Sequence, residues 1–303
     1  MTALHQVRPW AQLLRLPNVF TVWADVALGV AIIWAAGATP NAWAVLLTAA
    51  ASTCLYFAGM VLNDVFDLKE DRRDRPQRPL PAGRIPFRQA AAAGASLLLG
   101  GVGLAVFAGW FADSWAGVVA GLLAAAILAY DGGLKRTRVG PAIMGSCRFL
   151  NVSLATQAAD VSLVAGLFPA LVIGTYIAGL TWFAREEARQ SRHATLAMGL
   201  SLLALAWLAL GLAPTWMPRG WSAADHGIFI LGGLLLLLLA VGPLRVAWGE
   251  PAPAHVQAAV KRLLQSYLLL DALLAFACVG SWGLLLLLLL PPMLWLGNWL
   301  YST

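Results

Sequence analysis

The chain has 303 residues, of which 60% are hydrophobic and only 11% are charged, and its formal net charge is +6. Soluble domains contain about 25% charged residues, so this composition excludes an ordinary soluble domain and indicates a polytopic membrane protein. In such a chain the excess of basic residues is interpreted through the positive-inside rule, and it gives no reason to expect a nucleic-acid partner.

Apolar stretches long enough to cross a bilayer as helices, at about 20 residues each, recur along the whole chain. In chain order the predicted spans are 18–37, 42–62, 87–111, 115–131, 140–158, 162–184, 193–213, 226–246, 258–279 and 282–300. The connections between them are short, so consecutive helices are expected to pack antiparallel. The sequence therefore predicts an all-α transmembrane bundle in which residues 1–303 form one integral-membrane domain.

The distribution of basic residues predicts the orientation. With the N-terminus in the cytoplasm, every Lys and Arg of the 20 in the chain falls in a cytoplasmic segment, except Arg148 in the fifth span and Arg219 on the outside. This asymmetry predicts a cytoplasmic N-terminus and cytoplasmic polar loops, with a bacterial cytoplasmic membrane as the expected location.

The first polar stretch, residues 61–88, reads VLNDVFDLKEDRRDRPQRPLPAGRIPFR. On a helix Asn63, Asp67 and Asp71 would share one face, with Asp64 one position round. Carboxylates four residues apart repel, and converging oxygen atoms suit Mg²⁺, which bridges to phosphate oxygens. The alternative is a solvated helix end whose acids pair with the adjacent arginines, and the residues by themselves leave both open.

Residues 63–71, NDVFDLKED, resemble the NDxxDxxxD motif of the UbiA superfamily of intramembrane prenyltransferases, and residues 78–83, RPLPAG, resemble the RPLPSG-type turn that follows it there. The resemblance implies nine core helices around an active site that opens to the cytoplasm, so that the span 282–300 would be a tenth helix. It also implies a Mg²⁺ site and a catalytic role for the acidic motif. The implied metal ligands are Asn63, Asp64, Asp67 and Asp71, and the last three are candidate catalytic residues.

A second candidate is the stretch YDGGLKR at residues 130–136, between the fourth and fifth spans. Lys135 offers a point charge and Arg136 a planar fork, both suited to a diphosphate, although an ordinary positive-inside loop would look the same. UbiA proteins carry a tyrosine and a Lys-Arg pair in this loop. The resemblance therefore makes Lys135 and Tyr130 candidate catalytic residues and Lys135 and Arg136 candidate diphosphate ligands. Tyr130 could face a developing allyl cation or simply anchor the helix at the membrane surface.

The fifth span contains GSCRFLN at residues 145–151, where Arg148 and Asn151 lie three residues apart and share a helix face. An arginine inside a span costs ~2.5–3.5 kcal/mol on insertion scales, so Arg148 is expected to face a wet cavity or a partner. Snorkelling of Arg148 to the membrane surface is the alternative. We expect Arg148 to bind the diphosphate and Asn151 to line the substrate cavity.

The sixth span ends in TWFAREEARQSR, residues 181–192, which has no aspartate where UbiA enzymes usually carry a second DxxxD motif. Its carboxylates are Glu186 and Glu187, while Arg185, Arg189 and Arg192 would form one basic stripe on a helix. Such a stripe could hold the diphosphate directly, or it could merely obey the positive-inside rule, with Glu187 pairing to an arginine. Glu187 is a candidate cavity residue, and Arg72, Arg185 and Arg189 are weaker candidate diphosphate ligands. With GSCRFLN, this stretch resembles the EboC-like branch of the superfamily, in which the second motif is degenerate.

The function that the resemblance implies is Mg²⁺-assisted transfer of a prenyl group from an allylic prenyl diphosphate to a small hydrophobic acceptor, in most family members an aromatic ring. The alternative is a non-catalytic UbiA-like membrane protein that transports or handles a lipid or a metabolite precursor. The intact acidic motif argues against a carrier, and the intramembrane Arg148 argues against a pure scaffold subunit. The expected partners are the prenyl diphosphate, the acceptor and the lipid bilayer.

Overall fold

The computed structural model describes residues 3–217 and 219–301, with the side chains of residues 7–217 and 219–300. All regular structure in this part of the chain is helical. The α-helices are α1 (Ala3–Leu13), α2 (Val19–Ala35), α3 (Ala42–Phe66), α4 (Leu68–Asp74), α5 (Phe87–Ala112), α6 (Ala116–Asp131), α7 (Gly140–Thr156), α8 (Leu167–Phe183), α9 (His193–Gly211), α10 (Ala213–Trp216), α11 (Ala223–Gly249), α12 (Pro253–Val279) and α13 (Leu290–Tyr301). Short 3₁₀ turns join some of them, at Leu16–Asn18, Leu134–Arg136, Leu163–Gly166 and Ala184–Glu186, and a longer 3₁₀ segment covers Gly280–Leu289.

Seven segments of the described chain are long and apolar enough to cross a membrane. The last of them, Pro253–Leu300, has 48 residues and contains both α12 and the segment that returns alongside it. Helices α6 and α7 are shorter, with 16 and 17 residues. The predicted all-α bundle is confirmed. Each predicted span corresponds to a helical segment whose ends lie within a few residues of the predicted ends.

Helices α2 and α12 lie at the centre of the bundle, where they pack against each other. From Leu268 to Cys278 every residue of α12 is buried, and α2 also packs against α7. The outer helices α5 and α11 keep large apolar side chains exposed, as membrane-facing helices do. Any polar side chain on the facing sides of α2, α7 and α12 therefore lies in the middle of the bundle.

The last predicted span is wrong in one respect, because residues 282–300 do not form one α-helix. The chain turns at Gly280 (φ +67°) into the 3₁₀ segment Gly280–Leu289, and only then forms α13. A Cβ on Gly283 would collide with the backbone of Ala275 and Phe276, so a glycine permits the close approach of this segment to α12. Gln12 Nε2 donates to the Leu300 carbonyl oxygen at 3.2 Å, which joins the end of the described chain to α1.

Helices α7 and α8 approach each other closely at two glycines. A Cβ on Gly145 would collide with the carbonyl oxygen of Gly174, and a Cβ on Gly174 would lie 3.0 Å from the carbonyl oxygen of Gly145. Small residues at such crossings let membrane helices pack backbone against backbone. This contact fixes the position of α7, and with it Arg148 and Asn151.

We expect Gly145→Val to reduce the stability of the bundle by about 1–3 kcal/mol, because the added atoms meet backbone that cannot move aside. Gly121→Val in α6 is the matched control, since nothing lies within 4 Å of a Cβ at Gly121. Thermal unfolding of both purified variants in one detergent measures the difference. Equal melting temperatures would show that the α7–α8 contact tolerates the added volume.

Candidate active site

The acidic stretch of residues 63–74 is not one helix. Helix α3 ends at Phe66, and Asp67 (φ −89°, ψ 0°) separates it from α4, which begins at Leu68. The prediction that Asn63, Asp67 and Asp71 line one helix face is therefore wrong. Basic residues on other segments hold Asp67 and Asp71 separately, and these contacts divide the polar side chains of the motif into two groups.

The first group consists of Asn63 and Asp67 together with residues from the end of α6 and the loop after it. Asn63 Nδ2 donates to Asp131 Oδ1 at 2.8 Å. Lys135 Nζ lies 2.6 Å from Asp67 Oδ2 and 4.0 Å from Asp131 Oδ1. Arg136 Nη2 lies 3.4 Å from Asp67 Oδ1 and 2.8 Å from Glu70 Oε2. The two predicted motifs thus meet at this point.

Asp131 is a residue of this group that sequence reasoning did not select. Asp131 is the last residue of α6 and is buried, and its carboxylate accepts a hydrogen bond from the side-chain amide of Asn63. The available signal was its position inside the YDGGLKR stretch, directly between Tyr130 and the two glycines. A carboxylate beside the Asp67 carboxylate adds oxygen ligands that the predicted set of the acidic motif did not contain.

The second group consists of Asp64 and Asp71, which both face Arg78 of the RPLPAG turn. Arg78 Nη1 lies 2.7 Å from Asp71 Oδ2 and 3.4 Å from Asp64 Oδ1. Arg15, whose backbone has φ +47°, approaches Asp64 Oδ1 to 3.6 Å. These two carboxylates are therefore paired with guanidinium groups, as the alternative expected, but both are buried and not solvated.

The described residues contain no group of three or more His, Cys, Asp and Glu side chains placed to hold a metal ion. The first group still fits Mg²⁺ chemically, because the Asp67 and Asp131 carboxylates both approach Lys135 Nζ and Asn63 contacts Asp131, and Mg²⁺ prefers the hard oxygen ligands that these side chains carry. A cationic group, Lys135 Nζ, already lies between the two carboxylates of this set. Asp64 and Asp71 face Arg78 instead, and their role as metal ligands stays a prediction.

A cavity of about 200 Å³ extends from the first group into the bundle. Its mouth contains the polar side chains of Asn63, Tyr130, Asp131 and Arg15, and its inner end contains Arg148 and Asn151. The wall between them is mainly apolar and comprises Val22, Leu55, Tyr56, Gly59, Met60, Leu123, Ile127, Met144 and Cys147. The cavity thus joins a polar mouth to a polar inner end through an apolar middle.

Arg148 faces this cavity and also has a buried partner in α2, as an intramembrane arginine requires. Its Nη1 donates to Asp25 Oδ2 at 2.9 Å and its Nη2 donates to Thr21 Oγ1 at 2.8 Å. Asn151 Nδ2 donates to the same Asp25 oxygen at 2.7 Å, and the Tyr267 hydroxyl donates to the other. Arg148 lies at the inner end of the cavity, so its predicted role as a diphosphate ligand stays a prediction.

Asp25 was not selected from the sequence, although it joins α2, α7 and α12 through these hydrogen bonds. The signal was a single carboxylate inside the first predicted span, where ionisable residues are rare and usually paired. Nothing in the sequence indicated which cation pairs with it, because Asp25 and Arg148 are separated by 123 positions.

The predicted basic stripe after the sixth span is not formed. Helix α8 ends at Phe183, so the arginines that follow it do not share a helix face. Arg189 and Arg192 instead pair with the buried Glu186 at 3.3 and 2.9 Å, and Arg185 Nη2 donates to the Arg136 carbonyl oxygen at 3.2 Å. Only Arg185 of the three thus reaches the loop of the candidate site.

Glu187, the candidate cavity residue of this stretch, is half-buried and has a different environment from Glu186. Burial raises the pKa of Glu187, while the positive charges of Arg75, Arg15 and Arg78 act in the opposite direction. Glu187 therefore lies near the arginines of the second group. Arg72, another weak candidate, is exposed on α4.

We expect Glu186→Gln to lower the stability of the protein by about 1 kcal/mol, because the substitution weakens charge-assisted hydrogen bonds with Arg189 and Arg192, two exposed arginines in the loop before α9. Glu187→Gln makes the same chemical change one residue later and is expected to leave the melting temperature unchanged. Both variants should keep the wild-type Mg²⁺ dependence of prenyl diphosphate binding. A lost Mg²⁺ dependence in Glu187→Gln would place this side chain in the metal shell.

The fold and the site define a class of helical membrane proteins in which carboxylates and cations gather beside the mouth of a largely apolar cavity. The chain belongs to the UbiA prenyltransferase family, whose sequence pattern matches residues 22–265. This confirms the superfamily resemblance, while the EboC-like branch stays a prediction.

Curated relatives of the chain include digeranylgeranylglyceryl phosphate synthases of archaea. The protein of Methanoregula boonei is 29% identical over 242 residues, which cover 73% of this chain and 81% of that protein. The protein of Methanoculleus marisnigri is 33% identical over 142 residues, which cover 46% of each chain. Several of the curated relatives are thus matched over less than half of their length.

Solved structures of similar fold include an apo UbiA homologue from Aeropyrum pernix K1. It has a TM-score of 0.67 and 19% identity, and the alignment covers 84% of this chain and 96% of that chain. A UbiA homologue from Archaeoglobus fulgidus bound to DMAPP and Mg²⁺ has a TM-score of 0.51 and 17% identity, with 90% and 99% coverage. These likenesses support the UbiA fold.

Proposed function

We propose that the protein is an intramembrane prenyltransferase that moves a prenyl group from an allylic prenyl diphosphate to a small hydrophobic acceptor, with Mg²⁺ as cofactor. The observation that carries the proposal is the meeting of Asn63, Asp67 and Asp131 with Lys135 and Arg136 at the mouth of an apolar cavity. Family membership and the DMAPP and Mg²⁺ bound to the Archaeoglobus homologue support it.

In this proposal the diphosphate binds at the cavity mouth. Mg²⁺ would be held by oxygens of Asn63, Asp67 and Asp131, with Asp64 and Asp71 as the further candidate ligands, and when bound it stabilises negative charge on phosphate oxygens. Lys135 and Arg136, which contact Asp67 beside the mouth, bind the remaining diphosphate oxygens by charge-assisted hydrogen bonds. Arg185 borders the same loop through its hydrogen bond to the Arg136 carbonyl oxygen.

The residues of the chain favour the transfer in three ways. As the C–O bond of the donor breaks, its electron pair goes to the diphosphate, where Lys135 and Arg136 stabilise the charge. The Tyr130 ring at the cavity mouth can attract the allyl cation. The apolar wall keeps water away until the acceptor forms the new bond and loses a proton.

We further propose that the N-terminus and the site loops face the cytoplasm of a bacterial cell. The starts of α2, α5, α7, α9 and α12 and the ends of α3, α6, α8 and α11 lie on one side of an alternating bundle, and the loops there carry most of the basic residues. Arg219, the base predicted on the other side, pairs there with Asp225 at 3.3 Å.

A transporter or lipid-handling protein on the same scaffold is the rival function. A carrier has no evident need for carboxylates and cations that converge beside the mouth of an apolar cavity, whereas breakage of a diphosphate ester requires groups that stabilise the leaving charge. The two functions differ in an observable way, because only the enzyme releases inorganic diphosphate from the donor.

The experiment that tests the proposal is binding of prenyl diphosphates of several chain lengths to the purified protein in detergent, with and without Mg²⁺. Mg²⁺-dependent binding, followed by release of inorganic diphosphate when acceptors are added, is the expected result. Binding without Mg²⁺ would make the cations alone the diphosphate site. Failure of folded protein to bind any donor would favour the rival function.

A further inference from the structure

We propose that the inner end of the cavity selects an acceptor with a neutral polar head group, a hydroxyl or carbonyl on a single ring, and that Asp25 determines this preference. The inference rests on the proposed function. It concerns a residue that does not line the cavity but holds two side chains, Arg148 and Asn151, that do.

The size and polarity of the cavity match one small ring. An engineered apolar protein cavity of about 150 Å³ binds benzene, so about 200 Å³ accommodates a ring with small substituents. A prenyl tail has no group that could bond to the polar inner end.

The positive charge of Arg148 is already compensated. Asp25 accepts from Arg148 Nη1 at 2.9 Å and is fully buried, so the two opposite charges are held together away from water. Each terminal guanidinium nitrogen carries two N–H groups, and one on each nitrogen is used by Asp25 or Thr21. Arg148 therefore retains donors for a neutral oxygen but has little net charge to offer a carboxylate or a phosphate.

A second carboxyl group is buried in the same helix and does not change this balance. Asp271 is fully buried one helical turn beyond Tyr267, and neither of its carboxyl oxygens has a hydrogen-bond partner among the described residues. A carboxyl group that is buried without a cation or hydrogen bonds is held in its neutral form. Asp25 is therefore the carboxylate that compensates Arg148.

The test compares two probes that share one ring and differ in charge at pH 7, 4-hydroxybenzyl alcohol and 4-hydroxybenzoate. Calorimetric titration of the full-length protein in lipid nanodiscs, with Mg²⁺ and dimethylallyl thiodiphosphate present, gives both dissociation constants. Wild-type protein is expected to bind the neutral probe at least about tenfold more tightly. Equal or tighter binding of the benzoate overturns the inference, whatever any variant does.

The variant Asp25→Asn tests whether Asp25 causes the preference for the neutral probe. The variant leaves the Arg148 charge uncompensated, so its affinity for 4-hydroxybenzoate should rise about tenfold relative to the neutral probe. Asp160→Asn, the same change at an exposed position, is the control and should keep the wild-type ratio. If Asp25→Asn folds and its ratio of the two dissociation constants equals that of the wild type, Asp25 does not determine the preference for the neutral probe. If this variant does not fold, the wild-type ratio by itself tests the inference.

Absence of binding by either probe also overturns the inference. Titration of the same sample with dimethylallyl thiodiphosphate then separates two cases. If the donor analogue binds with Mg²⁺, only the acceptor site is misplaced. If it does not bind, the proposed prenyltransferase function fails as well.

Discussion

Asp67→Asn is expected to abolish Mg²⁺-dependent binding of prenyl diphosphate and to reduce turnover at least about 100-fold, the size of effect seen when one preorganised electrostatic group is removed. The Asp67 carboxylate lies between the two basic residues of the neighbouring loop, 2.6 Å from Lys135 Nζ and 3.4 Å from Arg136 Nη2. The amide keeps the shape of the side chain but removes the negative charge and one oxygen ligand. Both the metal and the alignment of the cations should therefore be lost.

The measurement is a titration of the donor with and without Mg²⁺, together with single-turnover release of diphosphate. Asp74→Asn is the matched control, because Asp74 is exposed at the end of α4 and pairs only with the exposed Arg73 in the described structure. The control is expected to retain wild-type binding. Full Mg²⁺-dependent binding by Asp67→Asn would place the metal with Asp64 and Asp71 instead.

Arg148→Met is expected to destabilise the protein by about 3–5 kcal/mol, because it leaves a fully buried carboxylate, Asp25, without its cation. Methionine fills a similar length, so the loss should come from the uncompensated charge and not from a void. The double variant Asp25→Asn, Arg148→Met removes both charges. It should recover most of the lost stability, since neutral replacements of a buried ion pair are often tolerated.

Equilibrium unfolding of the single and double variants in mixed detergent measures this coupling. Arg73→Met is the control, because it breaks an ion pair that is exposed to solvent and should leave unfolding unchanged. A double variant as unstable as Arg148→Met would show that packing, and not charge, causes the loss. Either outcome measures how much the Asp25–Arg148 contact contributes to the stability of the helices around the inner end of the cavity.

What the sequence determined by itself is local or periodic along the chain. Hydropathy set the all-α membrane bundle, because a bilayer requires long apolar helices that satisfy their own backbone hydrogen bonds. The short motifs at residues 63–71 and 78–83 identified the family, and the resemblance then singled out residues 130–136, which the fold brings to the first motif in the contact between Asp67 and Lys135. Both properties are contained in windows of a few to about 20 residues.

Only the tertiary structure decided how the charges are paired. It separated Asp71 from Asp67, assigned Arg189 and Arg192 to Glu186, and brought Asp25 from the first span to Arg148 in the fifth. Each of these outcomes depends on which helices cross and where each helix ends. A buried charge is stable only beside an opposite charge. Its partner is therefore the oppositely charged residue that helix packing brings next to it, however far apart the two lie in the sequence.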